Sequence, residues 1–70
     1  MRESELTALI AERIRSKRAD IGLSQEELGA ICGLHRTYIG ALERGEKRVT
    51  VITLAKIAHA LEASLPSFLE

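Results

Sequence analysis

The stretch QEELGAICGLHRTYIGALER, Gln25 to Arg44, decides the fold. It reads as two short helices joined by a three- or four-residue turn that contains Gly33. Packing such helices at a steep angle makes three demands. Apolar residues must face inward, and Leu28, Cys32, Leu34, Ile39 and Leu42 stand at those positions. A small residue is needed where the helices cross, and Gly29 supplies it. The turn needs a residue that tolerates positive φ, which suits Gly33. A glycine inside a helix costs about 1 kcal/mol relative to alanine, so Gly29 is easier to understand if close approach requires it.

Working outward, Ser24 and Glu27 form an S-x-x-E capping box that opens the first of these helices. Leu28, Ile31 and Cys32 are its expected buried face, and Gly33 its stop. The next helix runs from His35 or Arg36 to Arg44, with Ile39 and Leu42 inward and Gly45 at its end. Upstream, Leu6, Leu9, Ile10, Ile14 and Lys17 fall at helical intervals. They predict a helix from Ser4 or Thr7 to Asp20, closed by Gly22. Downstream, Thr50 can cap a fourth helix whose stripe is Val51, Leu54, Ile57, Ala58 and Leu61. Ser64 opens a fifth, with Pro66 in its first turn and Leu65, Phe68 and Leu69 as apolar contacts. Strand-like alternation is confined to a short patch at Val49–Val51. The expectation is one all-α domain over residues 1–70, five helices with a central helix-turn-helix.

Composition narrows the function. Seventy residues bury roughly 60% of the unfolded surface. Such a core supplies about 3–5 kcal/mol. Cys32 is the single cysteine, so no internal disulfide or Cys-rich zinc site forms. That leaves packed helices, and association with a second copy, as the supports. Lys and Arg number 10 and Asp and Glu 10, a formal net charge of +0, which excludes binding driven by bulk charge. The charge is uneven, however. Residues 13–48 hold eight basic and five acidic side chains, while both ends are acidic. Tyr38 and Phe68 are the only aromatics, too few for a single-strand surface built on base stacking. No apolar run is long enough to span a membrane. The glutamates of the first twelve residues do not suit a signal peptide. A cytoplasmic protein is the expectation. No nucleophile–base pair, metal-ligand cluster or phosphate loop stands out, so neither an enzyme nor a cofactor or small-molecule ligand is expected.

The segments RIRSKRADIGLSQEELG, LERGEKRVTVITLAKIAHAL and ASLPSFL, with the stretch quoted first, resemble the lambda- and Cro-type repressors, the XRE-type helix-turn-helix family. The resemblance covers almost the whole chain. Within the family, LHRTYIGALERGEKRVT looks most like controller proteins of restriction–modification systems. It implies a lambda-repressor-like domain that binds double-stranded DNA and regulates transcription, with RNA polymerase as a further candidate partner. It also implies that Arg18 and Glu43 form an ion pair linking the first and third helices. Phage-type repressors and antitoxins are the nearest alternatives. A protein-interaction module that never binds DNA is the alternative of another class.

A recognition helix reads the major groove through its outward face. Arg36 lies at the helix start, and its guanidinium fits guanine O6 and N7 bidentately. Thr37 can offer a hydroxyl or a methyl group, and Ala41 a contact to a thymine methyl. Gly40 and Arg44 lie on the same face, and His35 and Tyr38 flank it, where they could bond phosphate oxygens. Gln25, at the first turn of the preceding helix, suits a phosphate, where free N–H groups favour an anion, and the resemblance implies a phosphate or a nearby base. Lys47 and Arg48 suit the DNA backbone, and a solvated loop is the alternative. Of Arg13, Arg15 and Lys17, helical spacing lets at most two approach DNA together. His35 replaces the more usual Ser, Thr or Asp at a helix start, which leaves its capping role open. One recognition helix reads few base pairs, so a two-fold dimer is expected. Ile52 falls off the core stripe and, with Leu65 and Phe68, is the candidate interface. The alternative for Phe68 is closure of the core.

Overall fold

The structure, a computed structural model, describes residues 1–70. Four α-helices follow one another: α1 (Glu3–Asp20), α2 (Gln25–Cys32), α3 (Arg36–Glu43) and α4 (Val51–Ala60). The chain then closes with a single 3-10 turn at Leu65–Leu69. The expected fifth α-helix is therefore not formed. The segment spans five residues and carries Pro66 at its start, which removes a backbone donor. The Ser64 carbonyl accepts instead from the Ser67 amide at 3.1 Å and the Ser67 hydroxyl at 2.6 Å, the tighter i to i+3 pattern. The Val49–Val51 patch forms no strand, because Thr50 already caps α4 by accepting from the Thr53 amide at 3.1 Å.

Helix α1 places Glu3 and Glu5 in its first turn and Lys17 and Arg18 in its last, matching the helix dipole at both ends. Its inward residues are Ala11 and Ile14. Ile14 joins Leu28 of α2, Ile39 and Leu42 of α3, and Leu54, Ile57 and Ala58 of α4 in one core with Leu61 and Phe68. Phe68 is fully buried, and the 3-10 turn packs chiefly against α1. The Lys17 ammonium sits 5.3 Å from the Phe68 ring centroid, a cation–π contact. Phe68 thus has no surface left for a partner chain, which corrects its assignment to a dimer interface. Two other expectations also fail. Ile31 is 58% and Val51 72% exposed, although both lie at helical spacing from core residues. Periodicity marks a face, but burial needs an element packed over it.

One backbone conformation carries a testable cost. Glu62 has φ 55°, the left-handed region, in the turn that ends α4. There the Ala63 amide reaches the Ala58 carbonyl at 2.9 Å, a closure that favours glycine. The left-handed conformation costs an L-residue about 1–2 kcal/mol. Glu62→Gly, which also loosens the unfolded chain, is expected to gain up to about 1 kcal/mol. Thermal melting followed by circular dichroism should show a rise of several degrees.

Candidate nucleic-acid interface

The helix-turn-helix is closed by local chemistry at each end. The Ser24 hydroxyl accepts from the Glu27 amide at 3.0 Å, and the Glu27 carboxylate accepts from the Ser24 amide at 2.8 Å. That backbone donor holds the Glu27 carboxyl below its usual range, so this half of the box weakens as pH falls through it. Gly33 takes φ 71° at the end of α2. The Leu34 amide then donates back to the Gly29 carbonyl at 2.8 Å. This turn, rather than the crossing of the helices, is what requires a glycine at 29. A Cβ there would collide with the Leu34 carbonyl oxygen. Backbone cannot swing aside as a side chain does. Gly29→Ala is therefore expected to destabilise by about 1–3 kcal/mol despite alanine's better helix propensity. A melting temperature equal to or above that of the parent would refute the clash.

His35 does cap α3: its Nδ1 accepts from the Thr37 amide at 3.0 Å. An imidazole nitrogen can do this only without its proton, so the ring carries any hydrogen on Nε2. The other end of α3 is tied to the bundle. Arg18 Nε donates to Glu43 Oε2 at 2.6 Å and Arg18 Nη2 to Glu43 Oε1 at 2.9 Å. Arg18 Nη1 also reaches the Leu23 carbonyl at 2.8 Å, so one guanidinium joins α1, the α1–α2 turn and α3. The hydrogen bonds to Glu43 push the Arg18 pKa up. Glu43, whose side chain is 3% exposed, also accepts from Gln25 Nε2 at 3.1 Å.

With its base and tip so fixed, α3 leaves His35, Arg36, Thr37 and Arg44 exposed on its outer side. Tyr38 is half-buried against the core, and Lys47 and Arg48 are exposed in the following loop. Ala41 departs from expectation. It is 7% exposed, so its methyl has almost no surface to offer a base. Of the cations on α1, Arg15 alone lines the cleft shared with Arg44, Lys47 and Arg48. Lys17 lies over Phe68, and Arg13 bonds the Glu70 carbonyl at 2.7 Å and the neighbouring Glu12.

Sequence reasoning missed the carboxylates that attend these cations. Arg36 pairs with Glu26 at 3.2 Å, Arg44 with Glu46 at 2.8 Å and Arg48 with Glu3 at 2.6 Å. Hydrogen bonding between Arg44 and Glu46 raises the first group's pKa and lowers the second's. Only the Arg44–Glu46 pair is close enough in sequence to have been anticipated. Each of the three is exposed, where ion pairs contribute about 0–1 kcal/mol. At the candidate dimer face, Ile52 is 72% exposed on α4, Leu65 is half-buried and Leu69 is half-exposed.

Comparison with known proteins places this geometry. A family model described as helix-turn-helix matches residues 14–68. The control protein C.SmaI of Serratia marcescens is 49% identical over 65 residues, covering 93% of this chain and 77% of that protein. The crystal structure of the restriction–modification controller protein C.AhdI from Aeromonas hydrophila matches with a TM-score of 0.90 at 32% identity, over 97% of this chain and 99% of that one. The controller protein C.Esp1396I, solved as a tetramer in complex with its natural 35 base-pair operator, matches with a TM-score of 0.82 at 33% identity, over 90% and 83%. The chain belongs to the XRE-type helix-turn-helix family, among whose members its relatives include restriction–modification controller proteins.

Proposed function

We propose that this chain is a transcription regulator that binds duplex DNA sequence-specifically as a homodimer on a symmetric operator, in the role of a restriction–modification controller. One observation carries the reading: α3 is anchored by the Arg18–Glu43 pair at one end while Arg36 and Thr37 stand exposed at the other. A rigid helix with an exposed polar end is what base readout in the major groove needs. Arg36 and Thr37 read bases. His35, Tyr38, Arg44, Lys47 and Arg48 hold the phosphates on either side, with Arg15 able to join them. The exposed cations supply the electrostatic part of binding as they exchange carboxylate for phosphate, and the specific contacts supply selection.

The test is fluorescence anisotropy with duplex DNA from upstream of the protein's own gene. Binding should survive a large excess of random duplex and weaken steeply with salt. Displacement by random duplex as readily as by the same fragment would remove the specific regulator.

The dimer rests on Ile52 and Leu65, with the exposed Val51 and Leu69 beside them. Ile52→Asp places like charges opposite each other across a two-fold axis. It is expected to weaken dimerisation at least tenfold and leave the melting of the monomer near the parent's. Sedimentation equilibrium measures this. A parent that stays monomeric into high micromolar concentrations, or a variant that dimerises unchanged, would reject the interface.

A further inference from the structure

Between α1 and the loop after α3 lies a cleft of about 200 Å³. Leu6 and Ile10 of α1 line it, together with Val49. Leu6 is 37% exposed, and Ile10 and Val49 are half-buried. Ile14 and Leu42 border it from the core, where water does not reach them. An apolar cavity of roughly 150 Å³ is enough to hold benzene, so this cleft has room for about six carbons.

Its rim is charged. Glu3, Lys47 and Arg48 stand at the same cleft. Arg48 Nε meets Glu3 Oε2 at 2.6 Å, so this cation already takes a carboxylate there. Both side chains are more than half exposed, and a pair so open to water yields readily to another carboxylate. No carboxylate pairs with Lys47, because Arg44 holds Glu46 by two hydrogen bonds. An apolar hollow alone would suit any greasy segment. Two cations beside it match an anion with an apolar tail.

We propose that this cleft binds a small aliphatic monocarboxylate, its tail against Leu6, Ile10 and Val49 and its head on Arg48 and Lys47 in place of Glu3. The same two cations are the loop's proposed phosphate contacts, so the bound acid opposes operator binding. That effect rests on the DNA-binding reading above, whereas the binding of the acid does not. The site departs from the expectation that no small-molecule ligand is bound.

The experiment titrates hexanoate into the 70-residue chain without DNA, with methyl NMR following Leu6, Ile10 and Val49. Their signals should shift with a Kd of about 1 mM. From butanoate to hexanoate, each added methylene should tighten binding by up to about fourfold. Hexylamine, of opposite charge, should leave the signals in place. Glu3→Gln removes the competing carboxylate from an exposed position and should tighten hexanoate about two- to threefold. Thr7→Leu, at a half-buried position lining the cleft, should fold as the parent does and exclude hexanoate. Saturating hexanoate should weaken operator binding severalfold in anisotropy, where the same concentration of acetate does not. Signals unmoved at about 10 mM hexanoate, or moved equally by hexylamine, would overturn the proposal. So would signals that shift with protein concentration alone, which would assign the cleft to a second copy. Hexanoate bound with operator affinity unchanged would overturn the antagonism. If the parent prefers no duplex at all, it is the DNA-binding reading that fails, and the titration still decides the site.

Discussion

Arg18→Ala is expected to lower the melting temperature by about 12–24 °C, the shift that roughly 3 kcal/mol produces in a domain of this size. The side chain of Glu43 is 3% exposed and depends on Arg18 for two of its hydrogen bonds. Removing one partner of a buried pair leaves the other as an uncompensated charge, at about 3–5 kcal/mol. The lower figure applies because the Arg18 side chain keeps 17% of its exposure and water can follow it in. Gln25 remains as a donor to Glu43 but carries no charge. Against a core worth about 3–5 kcal/mol, the loss is large enough to leave much of the variant unfolded at 37 °C. The double replacement Arg18→Met with Glu43→Leu should recover most of that stability, since a buried pair often contributes little more than apolar residues of similar volume. Circular dichroism at 222 nm follows both variants. An Arg18→Ala melt within two or three degrees of the parent would show that the pair does not anchor α3.

Arg36→Ala should fold as the parent does and lose selectivity instead. Its side chain is 65% exposed and its one ion pair, to Glu26, is as open to water. Breaking that pair costs about 0–1 kcal/mol. A bidentate contact to guanine contributes about 1–3 kcal/mol of discrimination. The proposed base contact outweighs that cost, so Glu26 is not expected to hold Arg36 back. In a symmetric dimer the loss occurs twice, giving an affinity for operator lower by about a hundredfold. Binding to random duplex should fall only slightly, and the guanine preference should relax at one position in each half-site. Titration of both duplexes by anisotropy separates the two effects. A uniform loss on both would make Arg36 a phosphate contact.

Local signals were the legible part of this fold. Ser24 with Glu27, Gly33 and Thr50 each mark a helix boundary through chemistry within a few residues, and the structure places the boundaries there. The core residues Leu28, Ile39, Leu42, Leu54 and Ile57 follow from helical spacing and are buried. What spacing could not show is which apolar positions meet another element. Ile31 and Val51 fit the period and face outward, whereas Phe68 was placed at a partner and lies in the core. Ser64-Leu65-Pro66 signals a helix start, but Pro66 removes a backbone donor and the segment takes the tighter 3-10 pattern. At the interface, residue types pointed to Arg36 and Thr37, while the partners of Gln25, Arg36 and Arg48 come from tertiary placement across 18, 10 and 45 residues. Gly29 was rightly singled out as a close approach, but to the wrong neighbour, because the Leu34 carbonyl turns inward only once Gly33 has adopted its positive φ.

The neutral composition fits a binder whose affinity is local. Cations at Arg15, Arg36, Arg44, Lys47 and Arg48 gather around α3 and its following loop, and carboxylates stand among them: Glu26 pairs with Arg36, Glu46 with Arg44 and Glu3 of the N-terminal end with Arg48. Such a protein has weak attraction for DNA at large, which fits the proposal that two copies act together.

Selection of binding sites from a pool of random duplex DNA, run in parallel with the parent and Arg36→Ala, tests the central claim most directly. The account predicts that the parent enriches a two-fold symmetric site with a guanine in each half. It predicts that Arg36→Ala enriches the same site with that guanine relaxed. Enrichment of no sequence by a folded parent would contradict it.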